Sequence, residues 1–294
     1  MNKRKFLTVA LASALTVSIS AKAMAGAAKK TGYADVHGMK MYYEVSGQGD
    51  PIIVLHGAFM NIDEMKGIIG KLSMSRKVYA LEAQGHGRTN DIDRPLTFPN
   101  LAKDVAAFMD AVGLKKADVF GYSMGATTGL RLAIQNPEKV NKLIMASGIY
   151  DTEGLQPEFK AAIANWKVEM FLNSPFAAEY KKLAPNPDGF PALVEKVIAA
   201  ENETIAWGEE VKKIKAPVLI IAGDSDGYTL EHEVALFRLL GGGVMGDTGK
   251  PLAASRLAIL PATSHTAVPT QVDLLMAFIE PFLKGETPKG IFEK

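Results

Sequence analysis

The chain has 294 residues, 48% of them hydrophobic, enough for a full core in one large domain or in a core domain carrying an insertion. It contains no cysteine, which excludes disulfides, thiolate metal sites, a cysteine nucleophile and a lipid attached to an N-terminal cysteine. Formal charges nearly cancel, with 33 basic and 32 acidic residues; Lys29-Lys30, Lys115-Lys116 and Lys181-Lys182 read as solvated surface pairs, so nucleic acid is not an expected partner.

Met1 to Ala25 reads as a secretory signal. Lys3, Arg4 and Lys5 form a basic start, Phe6 to Ile19 is an apolar and small-residue run too short to span a bilayer, and Ala23-Met24-Ala25 fits the A-x-A cleavage rule. The mature chain is therefore expected to begin near Gly26, to be exported to the periplasm or medium, and to keep no stable membrane anchor. Loss of the signal leaves 29 basic against 32 acidic residues, a mildly acidic protein.

Two alternating segments, Tyr33 to His37 and Met39 to Val45, predict an N-terminal hairpin around Gly38. Buried-strand runs then alternate with helical segments: Ile52 to His56, Lys77 to Leu81, Ala117 to Tyr122, Lys142 to Ala146, Pro217 to Ala222 and Arg256 to Leu260. Continuous apolar strands separated by helices imply an α/β fold, a mostly parallel sheet covered on both faces. A last helix over about Thr270 to Leu283 places Val272, Leu275, Phe278, Ile279 and Phe282 on one stripe.

The rhythm breaks between Asp151 and Lys215, where Pro157, Pro175, Pro185, Pro187 and Pro191 interrupt helical sequence. This predicts a helical cap, residues 151–215, inserted into a core of residues 26–150 and 216–294. Its apolar residues, among them Trp166, Met170, Phe171, Phe176, Tyr180, Phe190 and Trp207, are expected to divide between packing the cap and roofing a pocket. Gly241 to Lys250 fails as a phosphate loop, because Val244 stands where the first glycine belongs and Pro251 where Ser or Thr should follow Lys250; it is expected to be a surface loop.

Val119-Phe120-Gly121-Tyr122-Ser123-Met124-Gly125-Ala126 joins a strand to a small-residue helix through G-x-S-x-G, the pattern of a nucleophile elbow. A serine hydroxyl is a poor nucleophile unless a base accepts its proton and a carboxylate orients that base. Such groups belong at the carboxyl ends of parallel strands. His265, reached from the last strand through a short loop, Pro261 to Ser264, is the expected base. His37, His56, His86 and His232 are expected to be structural or solvated. Asp226, in Gly223-Asp224-Ser225-Asp226, is the expected acid, with Asp224 holding the turn through its own backbone and Asp151 as the alternative acid. Oxyanion donors are expected from the N–H of Met124 and the N–H of Ala58, with Phe59 as the alternative to Ala58.

On His56-Gly57, Gly85-His86-Gly87-Arg88-Thr89, the Ser123 elbow, Gly223-Asp224-Ser225-Asp226 and Ser264-His265, the chain resembles the α/β-hydrolase superfamily from about Tyr33 to Leu283. Within it, Gly121-Tyr122-Ser123-Met124-Gly125 with a short helical cap looks like the small esterase, enol-lactonase and cofactor-free haloperoxidase or perhydrolase group. Glu82-Ala83-Gln84 departs from the Asp and Arg more usual before Gly85, which bears on bracing of the turn. The resemblance implies hydrolysis of a small or medium carboxylic ester or lactone through an acyl-Ser123 intermediate, with a small-molecule substrate and no metal or organic cofactor. Carbon–carbon hydrolysis, amide cleavage, perhydrolysis and non-catalytic ligand binding on the same fold stay open.

Overall fold

The computed structural model describes residues 29–248, 251–288 and 290. The signal-like segment Met1 to Ala25, the start expected at Gly26 and the Gly249-Lys250 pair lie outside the described residues.

Strands β1 (Lys30–Val36) and β2 (Met39–Ser46) form the antiparallel hairpin, turning through His37 and Gly38 at positive φ. β3 (Pro51–Leu55), α1 (Lys66–Leu72), β4 (Lys77–Leu81), α2 (Phe98–Ala111), β5 (Ala117–Tyr122), α3 (Met124–Gln135) and β6 (Val140–Ala146) follow in alternation. Among the described residues the sheet has eight strands in the order β1-β2-β4-β3-β5-β6-β7-β8, where β7 is Val218–Ser225 and β8 Arg256–Ser264. From β4 onward every pairing is parallel. Ile53, Leu55, Val119 and Met145 bury one face of the sheet against α2 and α3, while Ile52, Val54, Phe120 and Ile144 bury the other against α1 and the last helix, α9 (Val272–Lys284). This is why these strands read as unbroken apolar runs.

Residues 151–215 contribute α4 (Pro157–Ala164), α5 (Pro175–Leu183), α6 (Phe190–Glu201) and α7 (Gly208–Val211); α8 (Leu230–Leu239) returns the chain to the sheet. Pro157, Pro175 and Pro191 do not interrupt these helices; they begin them, at the first or second helical position, where a missing N–H costs nothing. The segment is stitched to the loop after β7: Leu155 bridges Tyr228, Gln156 N–H donates to Gly227 O at 2.9 Å, and Thr229 N–H donates to Gly154 O at 2.8 Å.

Two expectations are corrected and a third is extended. Pro261 to Ser264 is not a loop but the continuation of β8, which pairs Ser264 with Ser225 across a register shift and accommodates Ala262 at φ 51°. Asp224 does hold its own turn, accepting Ser225 O–H at 3.0 Å and its own backbone N–H, and its carboxylate also accepts the N–H groups of Ala262 and Thr263 at 2.8 and 3.1 Å, fastening that irregular stretch of the neighbouring strand. On α9, Leu275, Ile279 and Phe282 are buried as expected, but Phe278 lies at 36% exposure, with Met276 and Leu283 buried as well.

The β5–α3 junction depends on two close approaches. A Cβ on Gly121 would lie 2.2 Å from Gly125 O, and one on Gly125 would lie 2.4 Å from Leu55 O and 2.7 Å from His56 O. These are backbone atoms held by the sheet, so the clash cannot be relieved by a rotamer change. Gly125→Ala should therefore cost at least ~3 kcal/mol, seen as a melting temperature about 6–12 °C lower. Gly70→Ala, in α1 with nothing within 4 Å of the added methyl, should raise it slightly by removing backbone freedom from the unfolded chain.

Candidate active site

Ser123 sits between the end of β5 and the start of α3 with φ 53° and ψ −119°, a backbone conformation that side-chain-bearing residues rarely adopt. It is held there by its N–H, which donates to Ala146 O of β6 at 2.9 Å, and by the glycine contacts on either side. The turn lifts the hydroxyl above the sheet. His265 Nε2 lies 3.0 Å from Ser123 Oγ, and His265 Nδ1 lies 2.7 Å from Asp226 Oδ1. A buried carboxylate accepts only, so Nδ1 carries the proton and Nε2 is free to accept from the serine. Tyr122 O–H donates to His265 O at 3.0 Å, fixing the histidine's backbone to the nucleophile strand.

Asp226 has four donors. Its Oδ1 accepts from His265 and from Gly227 N–H at 2.7 Å, and its Oδ2 accepts from Ser147 O–H at 2.6 Å and Gly223 N–H at 3.2 Å. Burial alone would raise this carboxyl, but His265, Ser147 and the Gly223 N–H outweigh it and hold the group below the ordinary carboxylate range. Asp151, the alternative acid, is elsewhere: its side chain caps a short 3₁₀ turn by accepting Glu153 N–H at 2.9 Å.

The remaining histidines lie apart from this relay. His37 bonds Asp104 at 2.8 Å and His232 stacks on Tyr150 with ring centroids 4.4 Å apart. His56 Nδ1 donates to Gly57 O at 2.7 Å while its Nε2 accepts Ala83 N–H at 3.1 Å, an arrangement open only to one neutral tautomer. It thereby ties the loop carrying Ala58 to the end of β4. In the neighbouring turn, Glu82 accepts from Arg88 N–H and the Arg88 guanidinium, which also pairs with Asp63 at 2.9 Å, while Gln84 accepts from Arg94. The unusual Glu82 and Gln84 thus brace the turn.

No hydrogen bond among the described residues uses the Ala58 N–H, and the Met124 N–H belongs to the first turn of α3, which has no intrahelical acceptor. Ala58 and Ser123 line the same cavity of about 340 Å³. Trp166, Phe171 and Phe176 line it as well, whereas Tyr180 and Phe190 are buried within the segment. Met170 lies at 63% exposure and serves neither role, and Trp207 packs edge-on to Phe98 of α2. Sequence reasoning missed three groups. Ser147 follows β6 with nothing to distinguish it from a loop serine. Tyr228 lines the cavity together with Ser123, its hydroxyl held protonated by burial and by the carboxylates of Glu201 and Asp226. Glu201, at the end of α6, lines the cavity. Among the described residues no cluster of three histidine or carboxylate side chains is arranged to hold a metal ion, and no helix is long and apolar enough to cross a membrane.

The family model for the alpha/beta hydrolase fold matches residues 50–184, spanning β3, the Ser123 elbow and part of the helical segment. Over that span the chain matches the α/β-hydrolase fold, which its eight-stranded sheet displays. Among curated proteins it is 25% identical over 212 residues to the dihydrolipoyllysine-residue acetyltransferase component of the acetoin cleaving system of Cupriavidus necator, covering 66% of this chain and 57% of that protein. The chain thus spans little more than half of that relative's length. It is 25% identical over 258 residues to pimeloyl-[acyl-carrier protein] methyl ester esterase of Neisseria meningitidis, covering 80% of this chain and 93% of the esterase. The enol-lactonase of Burkholderia xenovorans superposes with a TM-score of 0.64 at 20% identity, over 86% of this chain and 99% of that one.

In this hydrolase-fold protein, the His56 brace has a measurable pH signature. Burial lowers the His56 pKa from 6.5 to about 4, so between those values the unfolded chain binds a proton that the folded chain does not. Its contribution is complete above about pH 6.5 and is lost as pH falls, by about 1.4 kcal/mol per pH unit. Urea unfolding at pH 7.5 and 5.0 should show wild type losing roughly 2 kcal/mol more than His56→Gln across that interval.

Proposed function

We propose that the protein hydrolyses small or medium carboxylic esters or lactones through an acyl-enzyme on Ser123. The observation that carries this reading is the continuous relay from Ser123 Oγ to His265 Nε2 at 3.0 Å and from His265 Nδ1 to Asp226 at 2.7 Å, at the tip of a strained strand-to-helix turn. His265 takes the serine proton as Oγ attacks the carbonyl carbon, and Asp226 stabilises the imidazolium that forms. The Met124 and Ala58 N–H groups receive the developing oxyanion. His265 then protonates the leaving alcohol and activates water to release the acid. The chemistry needs no metal or organic cofactor. The methyl ester esterase among the relatives supports an ester bond as the target. We include export in the proposal on the basis of the Met1 to Ala25 pattern.

Ser123→Ala should lower the hydrolysis of an aryl ester by ~10⁴-fold or more with an unchanged melting curve. A fluorophosphonate should leave one adduct, on Ser123, by intact mass and peptide mapping, and none in His265→Ala. Near-wild-type turnover by Ser123→Ala would overturn the assignment of the nucleophile.

A further inference from the structure

The cavity above Ser123 has an electrostatic character that the hydrolytic relay does not use. Phe59, Phe159, Trp166, Phe171 and Phe176 form its walls and interlock, with Phe59 and Phe171 centroids 4.8 Å apart and Trp166 and Phe171 5.5 Å apart. Two carboxyl groups, Glu64 and Glu201, open onto the same space, and no lysine or arginine lines it. Glu64 is committed to the turn before α1, where its Oε2 accepts Asn61 N–H at 2.7 Å. Glu201 is different: its carboxyl group has no hydrogen bond or ion pair among the described residues.

A carboxylate set among aromatic rings without a partner is costly, and it becomes favourable only when a counter-charge arrives with a ligand. Aromatic faces carry negative potential, so walls and carboxylates act in the same direction: they attract cations and repel anions. Burial pushes the Glu201 carboxyl up to about 7, with only the charge His265 would carry opposing this, so the group is poised to ionise when a cation binds. Glu201 and Ser123 line one cavity, so an ester whose carbonyl rests on Ser123 would have the far end of its acyl chain in reach of Glu201.

We propose that the preferred substrates are esters bearing an amine cation on the acyl chain, the ammonium seated among the aromatic walls and paired with Glu201, and that esters with a free carboxylate there are rejected. The inference rests on the serine-hydrolase reading for its kinetic test and on the cavity alone for its binding test.

The kinetic test compares two 4-nitrophenyl esters of equal shape, 4-(trimethylammonio)butyrate and 5,5-dimethylhexanoate, with the glutarate half-ester as the anionic member. In wild type, kcat/KM for the ammonium ester should exceed that for the tert-butyl ester by about 10-fold or more, through KM, and the half-ester should be slowest. In Glu201→Gln the ratio of the first two should fall towards one. Because it is a ratio within one protein, any general loss of activity cancels. Equal rates in wild type, or a preference retained in Glu201→Gln, would overturn the proposal while leaving the serine-hydrolase reading intact. The binding test titrates the methyl ester of 4-(trimethylammonio)butyrate calorimetrically into Ser123→Ala and into Ser123→Ala/Glu201→Gln. Binding weakened about 10-fold or more in the second supports the cation site even if no ester is turned over, and equal binding or none to both refutes it.

Discussion

The structure turns on a steric condition: the β5–α3 turn closes so tightly on itself that Gly121 cannot carry a side chain, and passes so close to the end of β3 that Gly125 cannot either. That contact does two things at once. It forces Ser123 into its strained conformation with the hydroxyl standing clear, and it sets α3 against the carbonyls of Leu55 and His56, whose loop goes on to Ala58. Ser123 and Ala58 are thus registered to each other through backbone contacts. His56 extends the lock to β4 through the Ala83 N–H, and the Glu82, Arg88 and Asp63 network holds the turn that follows.

The acid side is built by a different means. A buried carboxylate costs several kcal/mol unless its lone pairs are met, and Asp226 meets all of them with donors from three strand ends: Gly223 and Gly227 around β7, Ser147 after β6 and His265 after β8. Each donor also fixes a loop. Asp224, two residues earlier, ties β8 to β7 through Ala262 and Thr263, so alternate residues of one short run secure Asp226's partners and the strand that delivers His265. The same division appears in the aromatic residues of 151–215, where Tyr180 and Phe190 pack inward while Trp166, Phe171 and Phe176 face Ser123.

What the sequence made legible follows the range of the interactions concerned. Parallel strands buried on both faces announce themselves as apolar runs, and β4 and β5 begin and end where the runs do. The elbow was legible because its glycines are local consequences of a local turn. His265 and Asp226 could be placed by strand order alone. The residues that are not legible in the sequence act across the chain: Ser147 reaches Asp226 over 79 positions, and Glu201, at the end of α6, lines the same cavity as Ser123. A proline's place in the sequence does not say which turn of a helix it occupies, so Pro157, Pro175 and Pro191, which look like breaks, are helix starts. The extension of β8 past Pro261 was hidden because the proline reads as a terminator, whereas the strand continues through a register shift that Asp224 holds in place.

The stitching of residues 154–156 to residues 227–229 bears on how anything reaches Ser123. Tyr228 lies inside that seam, one residue from Gly227 and two from Asp226, with its ring edge-on to His265. The seam therefore pins the start of the helical segment to the loop that carries Asp226, so the space above Ser123, walled by Trp166, Phe171 and Phe176, and the loop beneath it share one backbone anchor.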